Sequence, residues 1–350
     1  MTNPTPKQQG YFFPAEWTAH EATWLTWPYR DDSFLATLDK IYPSYCQFIS
    51  YIARSEKVRI LVPSAQEARR ASEMIQAAGA NMSSIELFVY ATNDVWCRDH
   101  GPAFLIPQNK KEPKVIVDWE FNAWGNKYPS HLDNGVPAFI AQQLGLKTFR
   151  PGIIMEGGSV DFNGAGTLLT TEACLLNPNR NPHLSQAKIE EYLREYYGVD
   201  QILWLGDGIV GDDTDGHVDD ICRFVNEDTV IATIESKTSD DNYAPLQDNL
   251  KRLKSARLIN GRQLNIIELP MPHPVVYQGQ RLPASYANFY ICNSGVMVPV
   301  FRCKEDNIAL KIIEQAFPTR TIYDIDCSFI VTGFGTLHCL SQQEPLLKVD

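Results

Sequence analysis

One helix recurs for every two or three strands along this chain, and that recurrence limits the fold more than any single motif. Tyr45, Phe48, Ile49 and Ile52 keep helical spacing over 43–54, with Pro43 suited to the first turn. A strand at 57–62 follows. Ser64 and Glu67 then form a capping box that starts a helix running to about Gly79. Strands are predicted at 84–90 and 115–121, and a helix at 136–144 stopped by Gly145. Strands near 153–155, 159–162 and 166–171, with an Asn163-Gly164 turn, precede a helix at 185–197 and a strand at 201–205. A hairpin at 221–225 and 229–235, a helix at 244–256, strands at 264–269, 288–292 and 296–301, a helix at 305–317 and a strand at 321–325 complete the series. A doubly wound sheet would alternate strand and helix more strictly, so a repeated supersecondary unit fits better. No composition break divides the chain, so a single catalytic domain is expected over 11–350, after a disordered lead at 1–10.

Net charge narrows the partners. At -11 over 350 residues the chain lacks the basic surface that nucleic acid or an anionic membrane requires, and no apolar run is long enough to cross a bilayer. Its eight cysteines are scattered, with no C-x-x-C pair and no zinc spacing. Free thiols in a chain that opens without a signal peptide point to the reducing cytoplasm. Three tryptophans within 13–28 read either as an aromatic lid or as a core strand with edge prolines.

Four clusters carry side chains able to do chemistry beside glycines or at strand ends. They are Asp94-Val95-Trp96-Cys97-Arg98-Asp99-His100, Met155-Glu156-Gly157-Gly158-Ser159, Gly211-Asp212-Asp213-Thr214-Asp215-Gly216-His217-Val218-Asp219-Asp220, and Gly333-Phe334-Gly335-Thr336-Leu337-His338-Cys339. Singly each has an ordinary reading: an ion pair, a turn, a solvated acidic loop or oxygen-rich metal site, a buried thiol. Together they suit attack on a guanidinium. Carboxylates such as Asp99 and Asp219 accept its in-plane N–H bonds. A thiolate is the side chain best suited to attack its central carbon, and the substrate's own charge lowers the thiol pKa. His217, oriented by Glu156, can protonate the leaving ammonia and then activate water. Cys97 is a second candidate thiol with a stronger claim to be packing.

In this order the clusters closely resemble the agmatine deiminase family of the guanidine-modifying pentein superfamily, which is related to bacterial-type peptidylarginine deiminases. The likeness runs from Phe13-Pro14-Ala15-Glu16-Trp17 to Gln342-Gln343. It includes Phe121-Asn122-Ala123-Trp124-Gly125, the stretch from Glu172 to Pro182, and Ala284-Ser285-Tyr286-Ala287-Asn288-Phe289-Tyr290. The resemblance implies an α/β fold, a five-bladed propeller of ββαβ units with pseudo-fivefold symmetry and a central site. It implies hydrolysis of agmatine to N-carbamoylputrescine and ammonia, a step towards putrescine, with no metal and no organic cofactor. Cys339 would be the nucleophile, His217 and Glu156 the acid/base pair, and Asp99 and Asp219 the guanidinium carboxylates. Trp96 and Asp213 would meet the alkyl chain and distal ammonium. A small cationic guanidine would be the partner, with a homo-oligomer, at least a dimer, expected by analogy. The chain departs from the family pattern at His100, Asp215, Asp220, Phe334 and Thr336, beside the reacting groups. Those departures bear on which guanidine is used: agmatine, or the arginine side chain of a peptide. A metal-dependent ureohydrolase would leave Cys339 idle, and a non-catalytic binding protein would have little need for the whole set.

Overall fold

The structure, a computed structural model, describes residues 4–347. Among these, five sheets share one wiring. In each, a strand pairs antiparallel on one side and parallel on the other. Thr167–Thr171 lies between Val160–Phe162 and Gln201–Leu205; Thr229–Ile234 between Cys222–Asn226 and Asn265–Pro270; Gly295–Val300 between Tyr290–Cys292 and Thr321–Asp326. Val115–Val117 lies between Ala103–Pro107 and Thr148–Phe149. His20–Thr26 lies between Ser341–Pro345 and Lys57–Val62, which in turn takes Ile85–Val89. A parallel partner needs a crossover, and helices Leu38–Ile52, Val136–Leu144, Gln186–Tyr197, Tyr243–Ser255 and Asp306–Ala316 supply one for each sheet. The expected recurrence is therefore present, with most boundaries within a residue or two.

The caps follow the sequence. Ser64 and Ser185 accept the N–H groups of Glu67 and Lys188, and Gly145 and Gly198 end their helices in the left-handed region.

Four expectations are corrected. The disordered lead does not hold for residues 4–10. Lys7–Gln9 form a 3₁₀ turn, and Lys7 Nζ is held by Val199 O at 2.8 Å and Asp200 Oδ1 at 2.6 Å; residues 1–3 lie outside the described residues. Pro43 lies inside Leu38–Ile52 rather than in its first turn, because Leu38 and Ile41 extend the buried face upstream of it. The strand predicted at 115–121 ends at Val117, after which Glu120 makes only an isolated bridge to Ile154, and that bridge is all that forms of the strand predicted near 153–155. Of the two readings left open for the tryptophan-rich segment, the core strand holds: Trp24 lies in His20–Thr26, and it and Trp27 just beyond are fully buried.

Among the strands not foreseen are Ala103–Pro107 and Ser341–Pro345. The second is entirely buried although it reads Ser-Gln-Gln-Glu-Pro. Its Glu344 is neutralised by Arg59 and Lys114 and takes the Trp24 indole N–H at 2.8 Å, so burial leaves no charge uncompensated.

The wiring places the chemistry. In each of the five sheets the residues just before the antiparallel outer strand form a tight turn: 97–100 before Ala103–Pro107, 156–159 before Val160–Phe162, 217–220 before Cys222–Asn226, 284–288 before Tyr290–Cys292, and 333–339 before Ser341–Pro345.

Candidate active site

Four of these turns deliver the predicted catalytic residues, the fifth delivers one that was not predicted, and the predicted contacts Trp96 and Asp213 lie outside the turns but line the cavity. Cys339 is buried in a turn where Phe334 takes φ 68°. A Cβ on Gly333 would stand 2.7 Å from the Trp96 ring, and one on Gly335 2.8 Å from it and 3.0 Å from Cys339 Cβ. The two glycines therefore let Trp96 and the cysteine lie against the same turn. The amide of Asn288 donates to Cys339 Sγ at 3.1 Å, and Asp219 Oδ2 lies 3.7 Å from the sulfur. Burial, then Asp219, Asp220 and Asp99, push the free thiol well above its usual range.

Asp219 and Asp220 share the 3₁₀ turn Val218–Asp220 and take opposite states. Burial opposes ionisation of Asp219, but His338, His217 and Arg223 hold it below the usual carboxylate range. Its Oδ2 accepts from His338 Nδ1 at 2.6 Å, while Oδ1 has no hydrogen-bond partner. Burial and the charge of Asp219 push Asp220 well up, and its Oδ1 accepts from Asn288 at 3.0 Å.

Asp99 accepts the Gly158 N–H and the Trp124 indole N–H, each at 3.0 Å. Burial raises its carboxyl to about 6; His217 offsets part of that rise, and Asp219 and Glu156 add to it. The fully buried His217 stands between two carboxylates, with Nδ1 3.7 Å from Asp99 Oδ1 and Nε2 3.9 Å from Glu156 Oε2. Neither ring nitrogen has a hydrogen-bond partner. Burial lowers its pKa, and Asp99, Cys174 and Glu156 more than reverse this. Glu156 remains ionised against burial because Arg180 Nε sits 2.7 Å from Oε1 and His217 is close by. Gly158 lies at the middle: a Cβ there would meet His217 Nδ1 at 2.6 Å, Asp99 Oδ1 at 2.9 Å and Asp219 Oδ2 at 3.1 Å.

A cavity of about 200 Å³ opens onto Cys339 and Asp99 between the rings of Trp96 and Trp124. Asp32, Asp94 and Asp213 line it further out. Asp32 is held by Arg30, and Asp213 by Lys127 at 3.4 Å and the Tyr128 hydroxyl at 2.5 Å. Asp94 takes the Val95 N–H at 2.8 Å and forms no ion pair among the described residues; burial raises its carboxyl to about 6.

The departures from the family pattern have defined contacts. Thr336 donates to Asn288 Oδ1 at 2.8 Å and so sets the amide that faces the sulfur. Asp215 accepts from Arg180 at 2.5 Å and steadies the partner of Glu156. His100, kept neutral by burial (about 3), bonds Thr26 at 3.1 Å and does not line the cavity. The Cys97 thiol, raised to about 12 by burial, does not line it either.

Asn288, Trp124, Arg180 and His338 were not singled out in the sequence. Asn288 had a usable signal, since it precedes the antiparallel outer strand of a sheet like every other site turn. Two triads have ligand atoms within 4.8 Å of one another: Glu156, Cys174 and His217, and Asp219, Asp220 and Cys339. Arg180 already engages Glu156 in the first set, and the Asn288 amide engages Cys339 and Asp220 in the second.

The profile of the Porphyromonas-type peptidyl-arginine deiminase family matches residues 12–345. A putative agmatine deiminase of Legionella pneumophila is 39% identical over 346 residues, covering 98% of this chain and 97% of that protein. The agmatine deiminase of Ectopseudomonas mendocina is 36% identical over 97% of both chains. Among solved structures, the agmatine deiminase of Enterococcus faecalis superposes with a TM-score of 0.92 at 32% identity, over 99% of this chain and 98% of that one. The fold is thus the α/β fold of these enzymes, and the chain belongs to the Porphyromonas-type peptidyl-arginine deiminase family, with agmatine deiminases among its full-length relatives.

Proposed function

We propose that this protein is a hydrolase of C–N bonds in linear amidines that converts agmatine and water to N-carbamoylputrescine and ammonia. One observation carries the reading: Cys339 and Asp99 line one cavity, with Asp219 3.7 Å from the sulfur and the carboxylate-flanked imidazole of His217 3.7 Å from Asp99. Asp99 and Asp219 accept the guanidinium N–H groups, Asp219 through its unpartnered Oδ1. The bound cation offsets the carboxylates that keep the free thiol protonated, and Cys339 gives up its proton to solvent in the cavity. The thiolate attacks the central carbon, the C–N bond breaks, and the departing amine takes a proton from His217. This leaves an amidino-thioether on Cys339. Water then attacks the same carbon, gives a proton to His217, and the C–S bond breaks to release the ureido product and the thiolate. Glu156 holds His217 in place for both transfers. Trp96 and Asp213 contact the alkyl chain and distal ammonium; Asp94 lines the same cavity and forms no ion pair among the described residues, although the Arg30 charge acts on it. The chemistry uses no metal and no organic cofactor.

We also read residues 11–350 as one catalytic unit whose five similarly wired sheets stand as blades about a pseudo-fivefold axis. We expect the protein to act in the cytoplasm as at least a dimer. The family description favours a second reading, deimination of arginine side chains in peptides. Release of ammonia from agmatine, free arginine and a peptidyl-arginine, assayed side by side, tests the proposal. Agmatine should be preferred, with N-carbamoylputrescine as product. Urea as product, or preference for the peptide, would overturn it.

A further inference from the structure

His338 precedes the cysteine but does not line the substrate cavity. Its ring bridges two buried carboxylates, with Nδ1 2.6 Å from Asp219 Oδ2 and Nε2 2.7 Å from Glu16 Oε2. A carboxylate oxygen only accepts, so both contacts are hydrogen bonds only when each ring nitrogen carries a hydrogen. Burial opposes ionisation of Glu16, yet Arg223 and His338 hold it ionised. It accepts from Arg223 Nη2 at 2.8 Å and from the Ile291 N–H at 2.7 Å, with Arg98 at 3.5 Å. Arg223 is anchored in turn on Asp161 at 2.8 Å. The result is a buried string of alternating charge, Asp219, His338, Glu16, Arg223, Asp161, running from the reacting end of the cavity into the core. Asp99 faces Asp219 with like charge, Asp220 is the neighbouring carboxyl that Asp219 pushes towards its protonated form, Cys339 lies against it, and His217 and Arg223 are the other cations near it.

We propose that His338 is a positioning residue: it fixes Asp219 through Oδ2, ionised and aimed, so that Oδ1 is left to receive the substrate guanidinium. This rests on the reading of Asp219 as a guanidinium carboxylate. Without the bridge, Asp219 faces two acids in a buried site and takes up a proton, which each binding event must then expel.

Agmatine binding to Cys339→Ala protein, measured by calorimetry in buffers of different ionisation enthalpy, provides the test. Adding His338→Asn should weaken binding about 10- to 100-fold, the value of a hydrogen bond to a charged group, and should make binding release a proton near neutral pH. Glu16→Gln keeps the bond to Asp219 and should cost less than about threefold. Unchanged affinity and proton release in the His338 variant, or an equal loss from Glu16→Gln, overturns the proposal. Should the His338 variant not fold, imidazole nitrogen shifts of the unmutated protein decide: two ring N–H groups on His338 support the bridge, and a bare nitrogen refutes it. Turnover of agmatine by the unmutated enzyme is read separately, so failure of the functional reading is distinguishable from failure of the bridge.

Discussion

Gly158→Ala is the most exacting test of the site. The backbone does not require glycine there, since Gly158 is not among the left-handed glycines. The constraint is space. The added methyl would stand 2.6 Å from His217 Nδ1 and 2.9 Å from Asp99 Oδ1, where ordinary contact begins at 3.4 Å. Relieving this moves the imidazole or its own turn by about 0.8 Å, and a misplacement of about 1 Å in a reacting group costs about 10²-fold in rate. Glu156, braced by Arg180, and Asp99, braced by Trp124 and the Gly158 N–H, leave the ring little room to retreat. Initial rates of ammonia release from agmatine should show kcat falling about 10- to 100-fold, or about 1.4–2.7 kcal/mol, with the melting transition kept. A kcat within about threefold of the unmutated enzyme, in a protein that melts normally, would refute the view that His217 and Asp99 are packed against this residue in the working state.

Cys339→Ala should abolish ammonia release while agmatine still binds, and chelator should leave the unmutated enzyme unchanged; a loss restored by added metal would contradict the thiol mechanism. The pH dependence of kcat/KM should carry an acidic limb near 6, the value to which burial raises Asp99. Below that pH the carboxyl is protonated and cannot accept a guanidinium N–H; above it the group is ionised and competent. A profile flat down to about pH 5 would remove Asp99 from that role. Asp94→Asn should lower the ratio of kcat/KM for agmatine to that for n-butylguanidine, which lacks the distal ammonium, more than Asp213→Asn does, because Asp213 is already paired with Lys127 and Tyr128. Equal ratios in the two variants would show that Asp94 does not read the distal charge.

What the sequence disclosed depended on the kind of side chain. Cys339, His217, Glu156, Asp99 and Asp219 could be read because nucleophilic and ionisable types are conspicuous and guanidinium chemistry needs all of them. Trp124 and Gly158 could not, because an indole and a missing side chain act through direction and space, which only the fold supplies; Asn288 offered only its place before the antiparallel outer strand of a sheet. Trp124 lies in a run, Ala123 to Asn126, where every residue has positive φ. Its sequence reads as an ordinary turn, and nothing in it announces that the indole swings onto Asp99. Helices and apolar strands were legible through their periodicity. Ser341–Pro345 was not, because its burial is secured by ion pairs with residues more than 200 positions away.

That strand has a bearing on how the enzyme comes into being. Ser341–Pro345 joins the sheet of His20–Thr26, and the Trp24–Glu344 hydrogen bond spans 320 positions. Contacts this distant in sequence form late, after nearer pairings have shortened the effective loop between them. Asp99, Glu156 and His217 sit before strands whose partners are close in the chain, so their turns can mature early. The thiol turn is tethered to the slowest closure in the molecule. A partly folded chain therefore holds most of its guanidinium-binding groups before the sulfur is seated among them, and catalytic competence reports completion of the whole fold.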